Sequence, residues 1–457
     1  MIGGGPARGR RGVPMRRSAA ALVVAAALLL AVLSPLQTPA AEATTPAAAP
    51  QAVTSGPSFR AVRPARPEGI QDEQFWLDAV GVRAAWASNR GRGVRVAVLD
   101  SGIARGVPVL DDAVVGGTDV SGLGASDGRT PIGRGDAAAH GTWVASLLAG
   151  RGTDAGLLGT APEAEILSVS LGYAGSGATK PFSEQVAEGV RWAVDHGADV
   201  INLSFTTNEK GWPPSWDEAF LYAAEHDVVV VAAAGNRGSG TEVVGAPATI
   251  PGVLVVGGVT RAGRASGSSS TQGITIAVTA PSEELLGADP VRGAVRWEGT
   301  SGAAPIVAGV VALVRAAHPE LDAANVIERV IRTATPAPEQ AGVRPSPRYG
   351  YGLVDAEAAV SARVPRVTAN PLGSLAEWVA VYRPSTSGGG TTPVDPDRGE
   401  AAELLRAERD AGRDPAGRES AAERLVIPFV WAVGTAILAL LGVTAASRRF
   451  RRASVRE

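Results

Sequence analysis

The stretch Val94–Gly102, "VRVAVLDSG", places a mostly apolar run directly before an acidic turn. Comparable runs recur downstream and are strand-like, namely Glu165–Ser170, Asp199–Phe205, Asp227–Ala234 and Val253–Val259. Helical patterns separate or follow them, in "HGTWVASLLAG" from His140, Ser183–His196, Ser215–His226 and from about Ser301 to His318. Near-continuous apolar strands alternating with helices predict an α/β fold, with a mainly parallel buried sheet and helices on both faces.

Polar residues follow three of these predicted strands. Asp100 closes "VRVAVL", Ser204 lies near the end of "DVINLSF", and Gly235-Asn236 follows "DVVVVAAA". Ligands of open α/β sheets bind at the carboxyl ends of the strands. The sequence therefore predicts that these residues lie at one functional edge of the sheet.

The start of the last long helix contains a serine with two interpretations. In "EGTSGAAPIVAG", Glu298–Gly309, Ser301 precedes an apolar segment, as helix-capping serines do. The alternative is a nucleophile, which requires a base, most often histidine. Taken alone, the sequence around Ser301 favours the helix cap, and only residues elsewhere in the chain can favour the nucleophile.

Only four histidines are available as that base. His196, His226 and His318 fall at predicted helix C-termini, where the helix dipole stabilises an imidazolium and a structural role suffices. His140 instead precedes "GTWVASLLAG" and is placed at a helix N-terminus, where it would be a poor cap. We therefore predict that His140 is the base.

A histidine base needs an acceptor that fixes its tautomer. Asp100 at the sheet edge is the leading candidate, although an Asp before Ser-Gly is also common in turns. Asp136 is a rival because it is close to His140 in sequence. Asn236 is either a left-handed turn residue or an amide donor to a developing oxyanion.

Composition excludes several classes of protein. The net charge is -2 and no basic patch dominates the middle of the chain, so we expect no nucleic-acid partner. The absence of cysteine excludes disulfides, thiolate chemistry, Cys-ligated zinc and lipoprotein-type anchoring.

Both ends of the chain carry membrane signals. A basic start precedes the short apolar run Ser18–Leu33, and small residues follow, which predicts a signal peptide cleaved near Ala41 or Ala43. An uncleaved anchor is the alternative, but the run is short for a span. Leu425–Ala446 lacks charge and is long enough to cross a bilayer. Four arginines after it predict a cytoplasmic tail and an extracytoplasmic domain by the positive-inside rule, giving a single-pass protein of the cell membrane.

These features divide the chain into six predicted parts. They are a signal peptide (1–43), a Pro/Ala-rich arm or linker (44–70), a compact domain (71–362), a Pro/Gly-rich and charged tether (363–424), a transmembrane helix (425–446) and a basic tail (447–457).

The order of the motifs resembles that of the subtilisin-like serine proteases. "AVLDSGI", "HGTWVAS", "VINLSF", "VVVAAAGN" and "GTSGAAPIVAG" carry the resemblance, which covers about residues 71–362. It implies a subtilisin-like three-layer fold with Asp100 as orienting acid, His140 as general base and acid, and Ser301 as nucleophile. It further implies an oxyanion hole at Asn236 and a peptide cleft lined by Ser204, Phe205, Ala233, Ala234 and Gly235.

A narrower resemblance is to the mycosins, the membrane-anchored proteases associated with type VII secretion. The segment "FWLDAVGVRAAWASNRGRGVRVAVLDSG" and the order of signal peptide, protease, tether and span carry it. The sequence departs from the wider pattern at Thr206, where relatives have glycine, and at Gly302, where many have a bulkier residue. Mycosins often carry cysteines, whereas this chain has none. Calcium is allowed by family analogy, but no compact Asp/Asn loop locates a site, so we assign neither metal nor cofactor.

The sequence thus predicts a membrane-tethered serine endopeptidase that acts on protein or peptide substrates outside the cell, with a type VII secretion membrane complex as its partner. The alternative is a structural subunit of such a complex, whose proteolytic activity is dispensable.

Overall fold

The computed structural model describes residues 60–64, 69–340 and 342–383. The strands are β1 (Arg60–Pro64), β2 (Arg95–Asp100), β3 (Val114–Asp119), β4 (Glu165–Ser170), β5 (Val200–Leu203), β6 (Val229–Ala233), β7 (Leu254–Val259), β8 (Ile276–Pro281), β9 (Leu285–Asp289) and β10 (Gly293–Glu298). The helices are α1 (Trp76–Ala79), α2 (Val82–Ala85), α3 (Pro108–Asp111), α4 (Asp136–Ala149), α5 (Phe182–Asp195), α6 (Pro214–Glu225), α7 (Thr300–Ala317), α8 (Ala323–Thr333), α9 (Ala356–Ser361) and α10 (Leu375–Tyr382).

Seven strands form one parallel sheet in the order β3-β4-β2-β5-β6-β7-β8. Its central strands β5 and β6 are buried along their whole length. This explains why their sequences are almost entirely apolar rather than alternating, with Asn202 the one polar residue, since both faces of a parallel sheet are covered by helices. The predicted parallel sheet is confirmed, and the predicted strands are present to within two residues at each end.

Side chains of β2 divide between the two faces of the sheet. Val96 and Val98 pack into an apolar cluster with α4 and α7, whereas Ala97 and Leu99 pack into a second cluster with α5 and α6. Successive side chains of a strand point to opposite faces, so one strand contributes to both clusters. The fold therefore has three layers, with the sheet between two helical layers.

Helix α7 is the central helix of one layer, and its residues from Thr300 to Arg315 are buried. Among the described residues, it is the one helix long and apolar enough by composition to cross a membrane, but 89% of its apolar window is buried inside the domain. Burial on all sides explains its composition, because a helix that is apolar all round suits a protein core.

A second, antiparallel sheet has the order β1-β10-β9. Its central strand β10 ends two residues before Ser301 and pairs with β9 through registers such as Val295 with Gly287. The N-terminal arm supplies the other neighbour, with Arg60 opposite Glu298. The strand that leads to the predicted nucleophile is therefore supported on both edges.

The packed domain extends beyond the predicted boundary at residue 362. Helix α10 buries Leu375 and places Trp378 4.6 Å from Trp212, measured between ring centroids. Arg383 forms an ion pair with Asp217 at 2.8 Å. The first part of the predicted tether, up to Arg383, therefore packs against the domain. The predicted signal peptide, most of the N-terminal arm, the rest of the tether, the transmembrane helix and the tail lie outside the described residues.

Candidate active site

Asp100 and His140 form a buried pair at the carboxyl edge of the parallel sheet. The Nδ1 atom of His140 lies 2.8 and 3.0 Å from the two carboxylate oxygens of Asp100, and both side chains are fully buried. Asp100 also accepts the backbone N–H of Ser101 at 2.7 Å. A carboxylate can only accept, so Nδ1 carries the proton and Nε2 is the basic nitrogen of the ring.

The close approach of α4 to the turn after β2 creates this pair. A Cβ on Gly141 would lie 2.5 Å from the carbonyl oxygen of Gly102, so no side chain fits there. The Ser101 hydroxyl accepts the N–H of Gly141 at 3.0 Å and donates to the carbonyl of Ala138 at 3.0 Å. Ser101, which sequence reasoning overlooked, therefore fastens the helix that carries His140 to the strand that carries Asp100.

Two sequence interpretations around His140 are corrected by the structure. Helix α4 begins at Asp136 and not at His140, so the histidine lies in the second turn and the argument from the helix terminus does not apply. Asp136 forms an ion pair with Arg292 at 2.7 Å. It is therefore engaged elsewhere, and the structure brings Asp100 rather than its rival to the imidazole.

The other three histidines occupy helix C-termini, as predicted. His196 and His226 are the C-cap residues of α5 and α6, and each Nδ1 lies within 2.8 Å of a carbonyl oxygen of its own helix. His318 is the C-cap of α7. Their positions give them structural roles.

Ser301 lies in the first turn of α7, but it is not the helix cap. The cap position is Gly299, and no side chain caps the helix there. The Ser301 hydroxyl instead donates to the carbonyl of Ser204 at 2.8 Å, while the Ser204 hydroxyl donates to the carbonyl of Ser301 at 2.9 Å. This reciprocal pair holds the start of α7 against the end of β5.

Asn236 follows β6 and is oriented by Thr300. Its Oδ1 atom accepts the backbone N–H of Thr300 at 2.7 Å and the Thr300 hydroxyl at 2.9 Å. That hydroxyl also accepts the N–H of Gly235 at 3.0 Å. With the amide oxygen so engaged, the NH₂ group is oriented away from Thr300 as a donor.

The left-handed turn proposed as an alternative for Asn236 is wrong. Its backbone is extended, with φ of -121°, and the left-handed conformation belongs to Gly235, with φ of +100°. Thr300 was missed by sequence reasoning, although its place between Gly299 and Ser301 in the motif was a usable signal.

A small cleft of about 210 Å³ lies beside Ser301 and Asn236. Phe205, Ala233 and Gly235 of the predicted cleft residues line it, together with Thr206 and Thr300. Ser204 and Ala234 do not line it: Ser204 holds Ser301, and Ala234 is fully buried in the apolar cluster of α5 and α6. A Cβ on Gly235 would lie 2.8 Å from Thr206 Cγ2 and 2.5 Å from Thr241 Cγ2, so Thr206 packs against Gly235 at the wall of the cleft.

Gly302, the other departure from the family pattern, is explained by its neighbours. A Cβ at this position would lie 2.4 Å from Leu285 Cδ1 and 3.3 Å from Leu147 Cδ1, with Trp297 Cη2 in ordinary contact at 3.4 Å. The space beside the nucleophile is thus filled mainly by Leu285 of β9. Within the described part of the chain, no group of three or more His, Asp or Glu side chains could hold a metal ion. We therefore assign no residues to calcium.

Known proteins match the part of the chain that contains this site. The model described as "Subtilase family" matches residues 91–352. Fervidolysin from Fervidobacterium pennivorans is 32% identical over 333 residues, which is 65% of this chain and 45% of fervidolysin. The major intracellular serine protease of Bacillus subtilis is 33% identical over 284 residues, which is 59% of this chain and 83% of that protein. The chain thus spans less than half of fervidolysin but most of the shorter protease.

Solved protease structures also superpose on this chain. MycP1 from Mycobacterium smegmatis superposes with a TM-score of 0.56 at 27% identity, covering 68% of this chain and 91% of MycP1. The MycP3 protease from the type VII (ESX-3) secretion system gives a TM-score of 0.54 at 28% identity, covering 72% of this chain and 100% of MycP3. The family match exceeds half of the 457 residues and contains Asp100, His140, Asn236 and Ser301. The chain therefore belongs to the subtilase family of serine proteases.

Proposed function

We propose that the chain is a membrane-tethered, extracytoplasmic serine endopeptidase that cleaves protein substrates through Ser301, His140 and Asp100. The observation that carries this proposal is the bond of His140 Nδ1 to both oxygens of buried Asp100. It lies at the sheet edge where Ser301 and Asn236 also meet. A fixed tautomer next to a serine is the arrangement that general-base activation requires.

The first half of the reaction forms an acyl-enzyme. Ser301 Oγ attacks the carbonyl carbon of the scissile bond while His140 Nε2 takes its proton, and Asp100 stabilises the resulting imidazolium. The oxyanion accepts hydrogen bonds from the Asn236 amide and from the backbone N–H of Ser301, which lies in the first helical turn where such groups have no acceptor within the helix. His140 then protonates the leaving amine, and the C–N bond breaks.

The second half reverses these roles with water. Water attacks the ester carbonyl while His140 Nε2 takes its proton, and the second oxyanion uses the same two donors. Collapse of this intermediate returns the proton to Ser301 Oγ and releases the new carboxyl terminus. In the free protein, the Ser301 hydroxyl donates to the carbonyl of Ser204, so the first step requires it to turn toward His140.

Labelling of the nucleophile tests the chemistry. A fluorophosphonate probe applied to the full-length, membrane-bound protein should attach to Ser301, because only an activated serine reacts readily with it. Ser301→Ala should abolish labelling and peptide hydrolysis. Ser168→Ala is the matched control, since Ser168 is also fully buried but only donates to the carbonyl of Gly128. Absence of labelling in folded wild-type protein would contradict the proposal.

The membrane and secretion parts of the proposal rest on the sequence and on the mycosin neighbours. Residues 425–446 are apolar and are followed by arginines, and MycP3 comes from a type VII secretion system. We expect deletion of residues 425–457 to release the protease from membranes. A reporter fused after residue 457 should be active in the cytoplasm, and one fused after residue 420 should be active outside.

Complementation of a strain that lacks the gene distinguishes a proteolytic role from a structural one. Complementation with wild type and with Ser301→Ala should restore equal protein levels. Loss of type VII secretion only with the variant would make proteolysis the required activity. Restored secretion with the variant would instead support the structural alternative.

A further inference from the structure

Trp297 lies beside His140 and beside Gly302, the residue that follows Ser301. It is the penultimate residue of β10 and is 1% exposed. Its ring is 5.5 Å from the His140 imidazole between centroids, at an interplanar angle of 78°, and 5.5 Å from the ring of Trp143. This edge-to-face packing is a favoured aromatic arrangement. The His140 imidazole therefore packs against an indole from a distant strand.

Two glycines lie against that indole. A Cβ on Gly287 would lie 3.0 Å from Trp297 Nε1 and 2.7 Å from Trp143 Cβ, whereas a Cβ on Gly302 would lie 3.4 Å from Trp297 Cη2, an ordinary contact, and 2.4 Å from Leu285 Cδ1. Neither glycine has a positive φ. Glycine is usually required where φ is positive, so at these two positions space rather than backbone conformation excludes a side chain.

The indole is held for its shape and not for a hydrogen bond. Trp297 Nε1 is buried and has no acceptor within the described part of the chain. Trp143 differs, since its Nε1 donates to Asp289 Oδ2 at 3.0 Å. A buried indole N–H usually finds a partner. Packing of the Trp297 ring therefore has to compensate for the free-energy cost of burying an unpaired N–H donor.

The strand that carries Trp297 is fastened to the helix that carries His140. In the turn between β9 and β10, Arg292 contacts Asp289 and Asp136, each at 2.7 Å. Asp136 is the first residue of α4, four residues before His140. Movement of this hairpin would therefore move the indole and the start of the histidine helix together.

We propose that Trp297 is a positioning residue that sets the His140 imidazole relative to Ser301. Its ring lies beside Gly302, the residue after Ser301, next to the space that Leu285 of β9 fills. The inference rests on the proposed function, because it concerns the geometry of that reaction. It assigns a role to a residue that forms no hydrogen bond to His140 or Ser301 and carries no charge.

Substitutions at Trp297 in the full-length, membrane-bound protein test the inference. Trp297→Ala should lower kcat per fluorophosphonate-reactive site by about 10²-fold, the scale expected when a reacting group is displaced by about 1 Å. KM should stay near its wild-type value, because the indole does not line the cleft. Trp297→Phe should retain most of kcat, since it keeps a ring and loses no hydrogen bond.

Trp216→Ala is the matched control. Trp216 is also buried, at 2% exposure, but it lies on α6 in the cluster on the opposite face of the sheet. Both alanine variants should lower Tm, whereas only Trp297→Ala should lower kcat per reactive site. If Trp297→Ala does not accumulate as folded protein, Trp297→Leu replaces it, which keeps apolar volume without the ring.

Equal kcat per reactive site for wild type and Trp297→Ala overturns the inference while the proposed function stands. Failure of wild type to label or hydrolyse peptide overturns both.

Discussion

The amide oxygen of Asn236 accepts two hydrogen bonds from Thr300, from the backbone N–H at 2.7 Å and from the hydroxyl at 2.9 Å. Thr300 immediately precedes Ser301, so the oxyanion donor and the nucleophile are positioned by consecutive residues. The same hydroxyl accepts the N–H of Gly235. A shift of the first turn of α7 would therefore move both groups together and preserve their spacing.

This relationship predicts that kcat falls strongly when Asn236 is substituted and more weakly when Thr300 is substituted. Asn236→Ala should lower kcat by about 10²–10³-fold, as removal of one oxyanion donor does. Thr300→Val removes one neutral hydrogen bond to the amide and should cost about 1 kcal/mol in the barrier, roughly fivefold in kcat. Steady-state kinetics on one peptide substrate measure both. Thr300→Ser keeps the hydroxyl and should remain close to wild type; a loss as large as that of Thr300→Val would show that the methyl group matters instead.

The Asp100–His140 pair predicts that a substitution of Asp100 by a residue of the same size lowers kcat strongly. Asp100→Asn keeps the size of the side chain but allows the wrong imidazole tautomer, and kcat should fall by about 10⁴-fold. Asp136→Asn is the matched control because Asp136 pairs with Arg292 rather than with His140. Comparable losses in the two variants would reject the assignment of Asp100 as the orienting acid.

Thr206 predicts a preference for small side chains next to the cleaved bond. This threonine lines the cleft of about 210 Å³ and packs against Gly235. Thr206→Gly should raise kcat/KM for a peptide with phenylalanine at that position, relative to alanine, by about tenfold or more. Thr207→Ala serves as control, since Thr207 is buried and does not line the cleft. An unchanged ratio in Thr206→Gly would show that other residues limit the cleft.

The hairpin between β9 and β10 predicts acid sensitivity. Burial acts to raise the pKa of Asp289, but hydrogen bonds from Arg292, from the N–H of Val291 and from Trp143 outweigh it and hold the pKa below its ordinary value. A depressed pKa contributes stability above the unfolded value, near pH 4, that is lost as the pH falls through the folded value. The Tm difference between wild type and Asp289→Asn should be largest above about pH 4 and shrink below it. A difference that is independent of pH would contradict this.

The sequence predicted the sheet well because its strands are buried on both faces and are therefore mostly apolar. The positions of Asp100 and Asn236 followed from the same feature, since each comes at the end of such a strand. Helix starts were predicted less evenly. The predicted start at about Ser301 lies within one residue of the observed start at Thr300, but His140 was placed at a helix start and α4 begins four residues earlier, at Asp136.

Contacts between distant segments could not be predicted from the pattern. Trp297 precedes the nucleophile by four positions but reaches His140, which is far away in sequence, only because β10 folds over α4. Gly302 was an unexplained departure until Leu285 was seen to occupy its space. Periodicity carries information about a residue's own element and none about which side chain will fill the neighbouring space.

The pairing of β1 with β10 makes the N-terminal arm part of the support of the strand that leads to Ser301. Arg60 lies opposite Glu298 and Pro64 opposite Val295, with an irregular register between Arg60 and Arg63. A cut in the chain before Arg60 would leave that strand paired on both edges. A cut after Pro64 would free β1 to dissociate and leave an open edge, which other chains can pair with. Removal of the arm through Pro64 would therefore expose the strand that positions the nucleophile.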